Sequence, residues 1–286
     1  MSGGRFLAPA KLNLFLHVLG RRPDGYHDLQ TVFQLVDLCD RIDIETTEDP
    51  AIRRDPPPSD PLLASLAPEA DLAVRAARLL QADSGCARGA RIHVDKRIPA
   101  GGGLGGGSSD AATVLRALNL LWGLGYPPER LAVLGLTLGA DVPVFVQGSS
   151  AWAEGRGERL TPIDLPPRWY VIVCPEVSVS TAAVFGDPEL TRNTPPLTMR
   201  DFRVGGGRND CEPVVRRRYP QVAAALDWLS AFAPARLTGT GGCGFAAFGT
   251  QAQAQEVAAQ APAAIAVHVV KSLARSPVLS VAATDS

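Results

Sequence analysis

The chain reads as an α+β protein in two parts, and three observations point there. Strand-like and helix-like segments mix along it without the long β-α-β series of a doubly wound sheet. Pro162, Pro166 and Pro167 crowd one short stretch between two patterned regions. The length, 286 residues, suits two ordinary domains. The expected division is therefore residues 1–163 and 164–286.

The elements follow from periodicity. Residues 12–18 alternate, which puts Leu12, Leu14, Leu16 and Val18 on one strand face, and residues 41–46 repeat the pattern with Ile42 and Ile44. Residues 55–61 (DPPPSDP) cannot be regular structure and predict an exposed loop. A helix is expected over 71–82, with Leu72, Ala76, Leu79 and Leu80 on one side. A strand over 91–95 comes next, then a glycine run, then a helix carrying Ala111, Ala112, Leu115, Leu118 and Leu121. Helix 129–138 closes the first part. The second part predicts strand 170–174, helix 220–232, strand 245–248, helix 251–260 and strand 265–270.

The glycine run carries the most chemistry. Residues 99–110 read PAGGGLGGGSSD, six glycines broken once by Leu104. Glycine lets backbone N–H groups turn toward a ligand, and a helix that starts there adds unpaired N–H groups and the positive end of its dipole. That is an anion cradle, most often for phosphate. Ser108, Ser109 and Asp110 serve as N-cap or first-turn residues. The run is not a P-loop, because Ser108 stands where that motif needs lysine. It is a poor dinucleotide fingerprint too, since the next acidic residue after Asp110 is Glu129, at a helix start.

Elsewhere single residues stand out against apolar neighbours, each with two readings. Lys11 and Asn13 share one strand face; Lys11 is either an edge lysine or a cation facing a site. Asp141, alone in the apolar run 138–146, is a turn residue or a site carboxylate, and Lys11 is its natural partner. Such a pair beside a phosphate cradle suits hydroxyl deprotonation and phosphoryl transfer. Asp24-Gly25 makes a turn, while Tyr26 and His27 at its exit are packing residues or a clamp for a flat ring. A second glycine cluster at 237–244 is a tight turn or a close backbone approach to a ligand.

Composition narrows the class. With 46% apolar residues, 20% charged residues and net charge −1, the chain can bury a core and has no charge excess for nucleic acid or an anionic membrane. Five scattered cysteines lack C-x-x-C pairs, which predicts reduced thiols and a cytoplasmic protein with no zinc site. No apolar run reaches membrane-spanning length.

Taken in order, these motifs resemble the GHMP small-molecule kinases. The glycine run with SSDAA behind it resembles the family's phosphate loop. Residues 9–14 (PAKLNL) resemble its first motif, 22–27 (RPDGYH) a nucleoside-binding turn, and 139–143 (GADVP) the catalytic aspartate motif. Residues 180–185 and 209–212 resemble segments of its C-terminal domain, and 238–242 its third glycine motif. The resemblance implies two α+β domains with the active site in the cleft between them. It implies a kinase that uses ATP, with Mg²⁺ expected, on a hydroxyl of a cytidine-diphosphate-linked methylerythritol, in the non-mevalonate route to isoprenoid precursors. Asp141 would be the general base and Lys11 would hold it. Pro99, Ala100, Gly101, Gly102, Gly103, Leu104, Gly105, Gly106, Gly107, Ser108 and Ser109 would wrap the ATP phosphates. Tyr26 and Phe185 would sandwich cytosine with His27 on its edge, and Asn13 and Thr181 would contact the erythritol or diphosphate. Rival readings are a kinase for mevalonate, homoserine or a sugar, and a nucleotide-binding regulator without catalysis. The aromatic turn speaks against the first, and the Lys11 and Asp141 set against the second.

Overall fold

Two long strands organise the first half. β1 (Gly3–Arg21) and β2 (His27–Thr47) pair antiparallel along nearly their whole length. Asp24-Gly25 turns the chain between them: Gly25 takes φ 85°, and the Tyr26 N–H donates to Asp24 Oδ1 at 3.1 Å. The computed structural model describes residues 3–54, 67 and 69–280, so the proline-rich loop expected at 55–61 lies outside the described residues.

Strands 12–18 and 41–46 are the middle of β1 and the end of β2. The single apolar face expected for 12–18 is not what forms. The β1–β2 register shifts between Asn13 and Leu16, a bulge that turns Phe15 into a core with Val32 and Trp152 and leaves Leu14 half-buried.

β3 (Ile52–Arg54), β4 (Gly89–Asp95), β5 (Ala151–Gly155) and β6 (Arg159–Pro162) complete the sheet in the order β3-β4-β2-β5-β6, with β1 alongside β2. Helices α1 (Leu72–Ser84), α2 (Gly106–Leu121), α3 (Pro128–Leu138) and α4 (Val142–Gln147) cover it. Their apolar stripes meet Phe33, Leu35, Ile42 and Ile92 in one core with Leu80, Leu115 and Leu118. Asp71 starts α1 by accepting from the Ala73 N–H at 2.9 Å.

The second half is an α+β sandwich. β7 (Trp169–Pro175), β8 (Ala235–Leu237), β9 (Gly244–Phe248) and β10 (Ile265–Lys271) form a sheet in the order β10-β7-β9-β8, every pair antiparallel. Three short helices lie between β7 and β8: α5 (Thr181–Phe185), α6 (Met199–Arg203) and α7 (Glu212–Arg218). Helices α8 (Pro220–Ser230) and α9 (Gln251–Ala258) cover one face of the sheet, where Val171 and Val173 pack against Leu229 and Ala254. Each buried valine contributes roughly 1.5–3 kcal/mol of transfer free energy.

The opposite face of β7 carries Tyr170, Ile172 and Cys174. They pack against Ala10 and Leu12 of β1 and Leu104 of the glycine run. A strand buried on both sides explains the unbroken apolar run at its centre. It also presses the second half onto β1 and the glycine loop, and the functional site lies along that seam. All five cysteines are free thiols.

Candidate active site

The glycine run forms the loop between β4 and α2. Gly101, Gly103 and Gly105 take φ of 69°, 79° and 76°, values L side chains rarely adopt. Of the N-cap and first-turn places expected for Ser108, Ser109 and Asp110, none is the N-cap, while Ser108 falls in the first turn. Gly105 is the N-cap, no side chain caps the helix, and Asp110 lies buried within α2. The first bond back to the cap is Ser109 N–H to Gly105 O, 2.9 Å. The N–H groups of Gly106, Gly107 and Ser108 therefore have no partner among the described residues. Such a helix start is open to an anion.

A cavity of about 270 Å³ runs along this loop, lined by residues 99–107 together with Asp71, Leu72, Lys96 and Asp110. A second cavity of about 360 Å³ takes in Lys11, Asn13, Ser108, Asp141, Thr181 and Phe185. Gly103 and Gly105 line both, so the two spaces meet there.

Lys11 lies at that meeting point. It is 3% exposed, and its Nζ donates to Gly103 O at 2.9 Å and to Asn13 Oδ1, and stands 3.4 Å from Asp141 Oδ2. Its own N–H donates to Leu104 O at 3.0 Å, tying β1 to the loop. Lys11 is thus buried and lines the cavity, which is not the place of a solvated edge lysine. Asp141 is the residue before α4, and its side chain caps nothing. Its carboxylate keeps about a third of its surface open, so it can accept a proton from a group in the cavity. Asn13 Nδ2 donates to Thr31 Oγ1 at 3.0 Å, which orients the amide.

The second glycine cluster is a platform beneath the first. Gly242 and Cys243 N–H groups donate to Gly101 O (3.2 Å) and Gly102 O (3.1 Å). A Cβ on Gly103 would meet Thr238 O at 2.1 Å, and one on Gly241 would meet Gly103 N at 2.0 Å. Thr238 Oγ1 accepts from the Asn13 N–H at 2.9 Å, and Thr181 and Thr240 hydroxyls share a hydrogen bond of 2.8 Å. Asn209, which sequence reading had not placed in the site, donates to Leu237 O and Gly239 O and holds the platform.

The aromatic residues are arranged differently from a simple sandwich. His27, not Tyr26, stacks on Phe185, with centroids 5.0 Å apart and planes at 20°. Tyr26 is 56% exposed and lies under the Arg156 guanidinium, 4.8 Å from the ring centroid. Arg192 Nε donates to His27 Nε2 at 3.1 Å, and its Nη2 donates to Phe185 O at 2.8 Å. That clamp escaped sequence reading, since an arginine so far from the turn carries no signal of it. Burial first, then Arg192 and Arg21, holds the His27 imidazole below its ordinary pKa, which favours the neutral ring that accepts from Arg192.

Sequence reading also missed Lys96. Its Nζ bridges Asp40 and Asp110, 2.8 Å from Asp110 Oδ2, directly under the loop. Asp40 also accepts the Arg97 and Ile98 N–H groups at 2.6 and 2.8 Å. Two carboxylates share one ammonium here. Burial, reinforced by Asp40, pushes Asp110 up to about 8. The charged run Asp95-Lys96-Arg97 looks solvated in sequence; only β2 beside β4 brings Asp40 to it.

Among the described residues no cluster of three or more His, Cys, Asp or Glu is placed to hold a metal. Magnesium commonly binds through phosphates and one or two protein oxygens. The hydroxyl of Ser108 is an oxygen donor lining the cavity and fits that requirement. No helix is long and apolar enough to cross a membrane.

Comparison with known proteins agrees with this geometry. Residues 71–149 match the GHMP kinases N terminal domain and residues 198–266 the GHMP kinases C terminal. A 4-diphosphocytidyl-2-C-methyl-D-erythritol kinase of Halorhodospira halophila is 57% identical, over 94% of this chain and 93% of its own. The enzyme of that name from Pseudomonas aeruginosa PAO1 is 55% identical over 89% of each chain. A crystal structure of 4-(cytidine 5'-diphospho)-2C-methyl-D-erythritol kinase superposes with TM-score 0.81 at 34% identity, covering 94% of this chain and 99% of that one. The Methanococcus jannaschii mevalonate kinase shares the fold alone, with TM-score 0.70 and 15% identity over 95% and 99% of the two chains. With an open helix start, a Lys11–Asp141 pair at its mouth and relatives this similar over almost their whole length, the chain belongs to the GHMP kinase family.

Proposed function

We propose that this protein transfers the terminal phosphoryl group of ATP to a hydroxyl of 4-diphosphocytidyl-2-C-methyl-D-erythritol, in the non-mevalonate route to isoprenoid precursors. The observation that carries the reading is the Lys11–Asp141 pair, 3.4 Å apart, where the glycine-loop cavity opens into the larger one. The names of the relatives supply the acceptor.

In this reading residues 99–109 bind the ATP phosphates through free backbone N–H groups. Asp141 takes the proton from the acceptor hydroxyl as its oxygen bonds the γ-phosphorus and the bond to the ADP oxygen breaks. Lys11 holds Asp141 and, through its bond to Gly103 O, the loop as well. Magnesium would be held by the phosphates with the Ser108 hydroxyl and would supply charge neutralisation. Asn13 and Thr181 contact the polyol or its diphosphate. Cytosine stacks with Phe185 and Tyr26, and His27 meets its edge. That placement asks Arg156 to leave the Tyr26 ring and a base to enter beside Phe185.

The division between residues 163 and 164 puts the two sheets in separate domains, with the site between them. The protein works in the cytoplasm on small molecules, without nucleic acid or membrane partners. The test is ATP consumption with a panel of acceptors: the cytidine-linked polyol, its uridine analogue, the free polyol, mevalonate and homoserine. Rapid turnover confined to the cytidine-linked polyol supports the reading. Equal or faster turnover of mevalonate or homoserine overturns it.

A further inference from the structure

A third cavity, about 410 Å³, lies between the loop after β6, the edge of the second sheet and α6, and shares no lining residue with the catalytic cavities. Its walls are aromatic: Tyr170 and Phe245, in edge contact at 5.9 Å, and Phe202 of α6. Three arginines line it as well, Arg168, Arg203 and Arg236, against a single carboxylate, Asp164.

None of the three guanidinium groups has a carboxylate partner among the described residues. The one hydrogen bond recorded for them is Arg236 Nη1 donating to Leu14 O at 3.0 Å. By contrast Arg208, Arg216, Arg217 and Arg218 of the same half all pair with acids. Three uncompensated guanidinium groups around an apolar slot form an unusual surface. Guanidinium forks match phosphate oxygens two at a time, and an aromatic slot takes a flat ring. The volume falls in the range of small-molecule sites.

We infer that this cavity is a second ligand site, for an organic phosphate with a flat aromatic body. The phosphate lies among Arg168, Arg203 and Arg236, and the ring against Phe202, Tyr170 and Phe245. The site abuts the catalytic strand: Leu14 lines it, and the neighbouring Asn13 lines the catalytic cavity. Arg236 grips the Leu14 carbonyl, so a ligand that recruits this arginine acts on β1 one residue from Asn13.

The probe is 1-naphthyl phosphate, titrated calorimetrically into the full chain while a non-hydrolysable ATP analogue and cytidine diphosphate fill the catalytic cavities. Inorganic phosphate and 1-naphthol test the head and the body alone. The expected result is binding at least tenfold tighter than either fragment, weakened roughly tenfold by Arg168→Ala and by Arg203→Ala. Phe202→Ala weakens the naphthyl ester but not inorganic phosphate. Turnover of ATP stays unchanged in both arginine variants, which lie on separate segments, so misfolding of one leaves the other as the test. Equal affinity for the three probes, unchanged affinity in the arginine variants, or loss of binding when the catalytic cavities are filled each overturns the proposal.

Discussion

At the scale of the residue, the chemistry narrows to Asp141. Its carboxylate touches Lys11, caps no helix and faces the cavity, so Asp141→Asn removes a proton acceptor and little else. Phosphoryl transfer should fall roughly 10²–10⁴-fold while ATP affinity and melting temperature hold. Near-normal turnover in a steady-state assay would remove Asp141 from the reaction. His27 makes a second residue-scale prediction. Its folded pKa is depressed, so the neutral ring persists below the ordinary imidazole value and is lost only as pH falls through the lower, folded-state value. Protonation breaks the acceptance from Arg192 and sets two cations together. Acceptor KM should therefore stay flat through the ordinary imidazole value of about 6.5 and rise only at lower pH, with ATP KM changing less. In His27→Gln that acceptor-specific rise should be missing. A wild-type profile identical to that of His27→Gln would show that the imidazole does not titrate against the acceptor.

Elements matter because two loops from different halves make one cradle. Gly103 combines φ 79° with backbone of the second cluster where a Cβ would sit, 2.1 Å from Thr238 O. Gly103→Val should cost more than the roughly 1–2 kcal/mol of the left-handed conformation alone and weaken ATP binding well beyond acceptor binding. Calorimetry with a non-hydrolysable ATP analogue, alongside thermal melting, checks both; unchanged values would mean the loops are not interlocked. Sequence patterning revealed the first loop, its strand and its helix, because glycine density and helical spacing are local properties. It left the second cluster undecided between turn and ligand contact, since its partner is Gly101 to Gly103, distant in the chain. The bulge in β1 was equally hidden. Alternation at Leu12, Leu14, Leu16 and Val18 looked regular, and only the pairing with β2 turns Phe15 inward. Lys11 and Asp141 stood out because a charge in an apolar run is conspicuous, whereas Lys96 sits among other charges and Arg192 lies far along the chain from the turn it holds.

For the whole molecule, the buried Asp40–Lys96–Asp110 group ties β2, the approach to the loop and α2 into one electrostatic unit. Its sign is opposite to that of an ordinary surface acid. Asp110 is raised in the folded state to about 8, so its contribution to stability is full below the unfolded carboxylate value and is lost as pH rises toward that figure. Asp110→Asn removes this titration. The urea midpoint of the wild type should therefore fall relative to that of Asp110→Asn between pH 6 and pH 8. Parallel midpoints across that interval would show that Asp110 is ionised throughout. Lys96→Met leaves two carboxylates without a counter-charge and should destabilise by about 3–5 kcal/mol, more severely as pH rises.

The interlocked glycine loops also set a timetable for biosynthesis. Thr238 follows Gly103 by 135 residues, and the ATP loop leans on it and on Gly241 to Cys243. At translation rates of about 5–20 residues per second that separation is roughly 7–27 s. During that interval the first half can build its sheet and helices, while its phosphate loop has nothing to rest on. The core of Phe33, Ile42, Leu115 and Leu118 is itself completed late, by Val278 and Leu279 near the other end of the chain. A chain stalled before Thr238 emerges carries the glycine run without the backbone it leans on, so its cradle is incomplete.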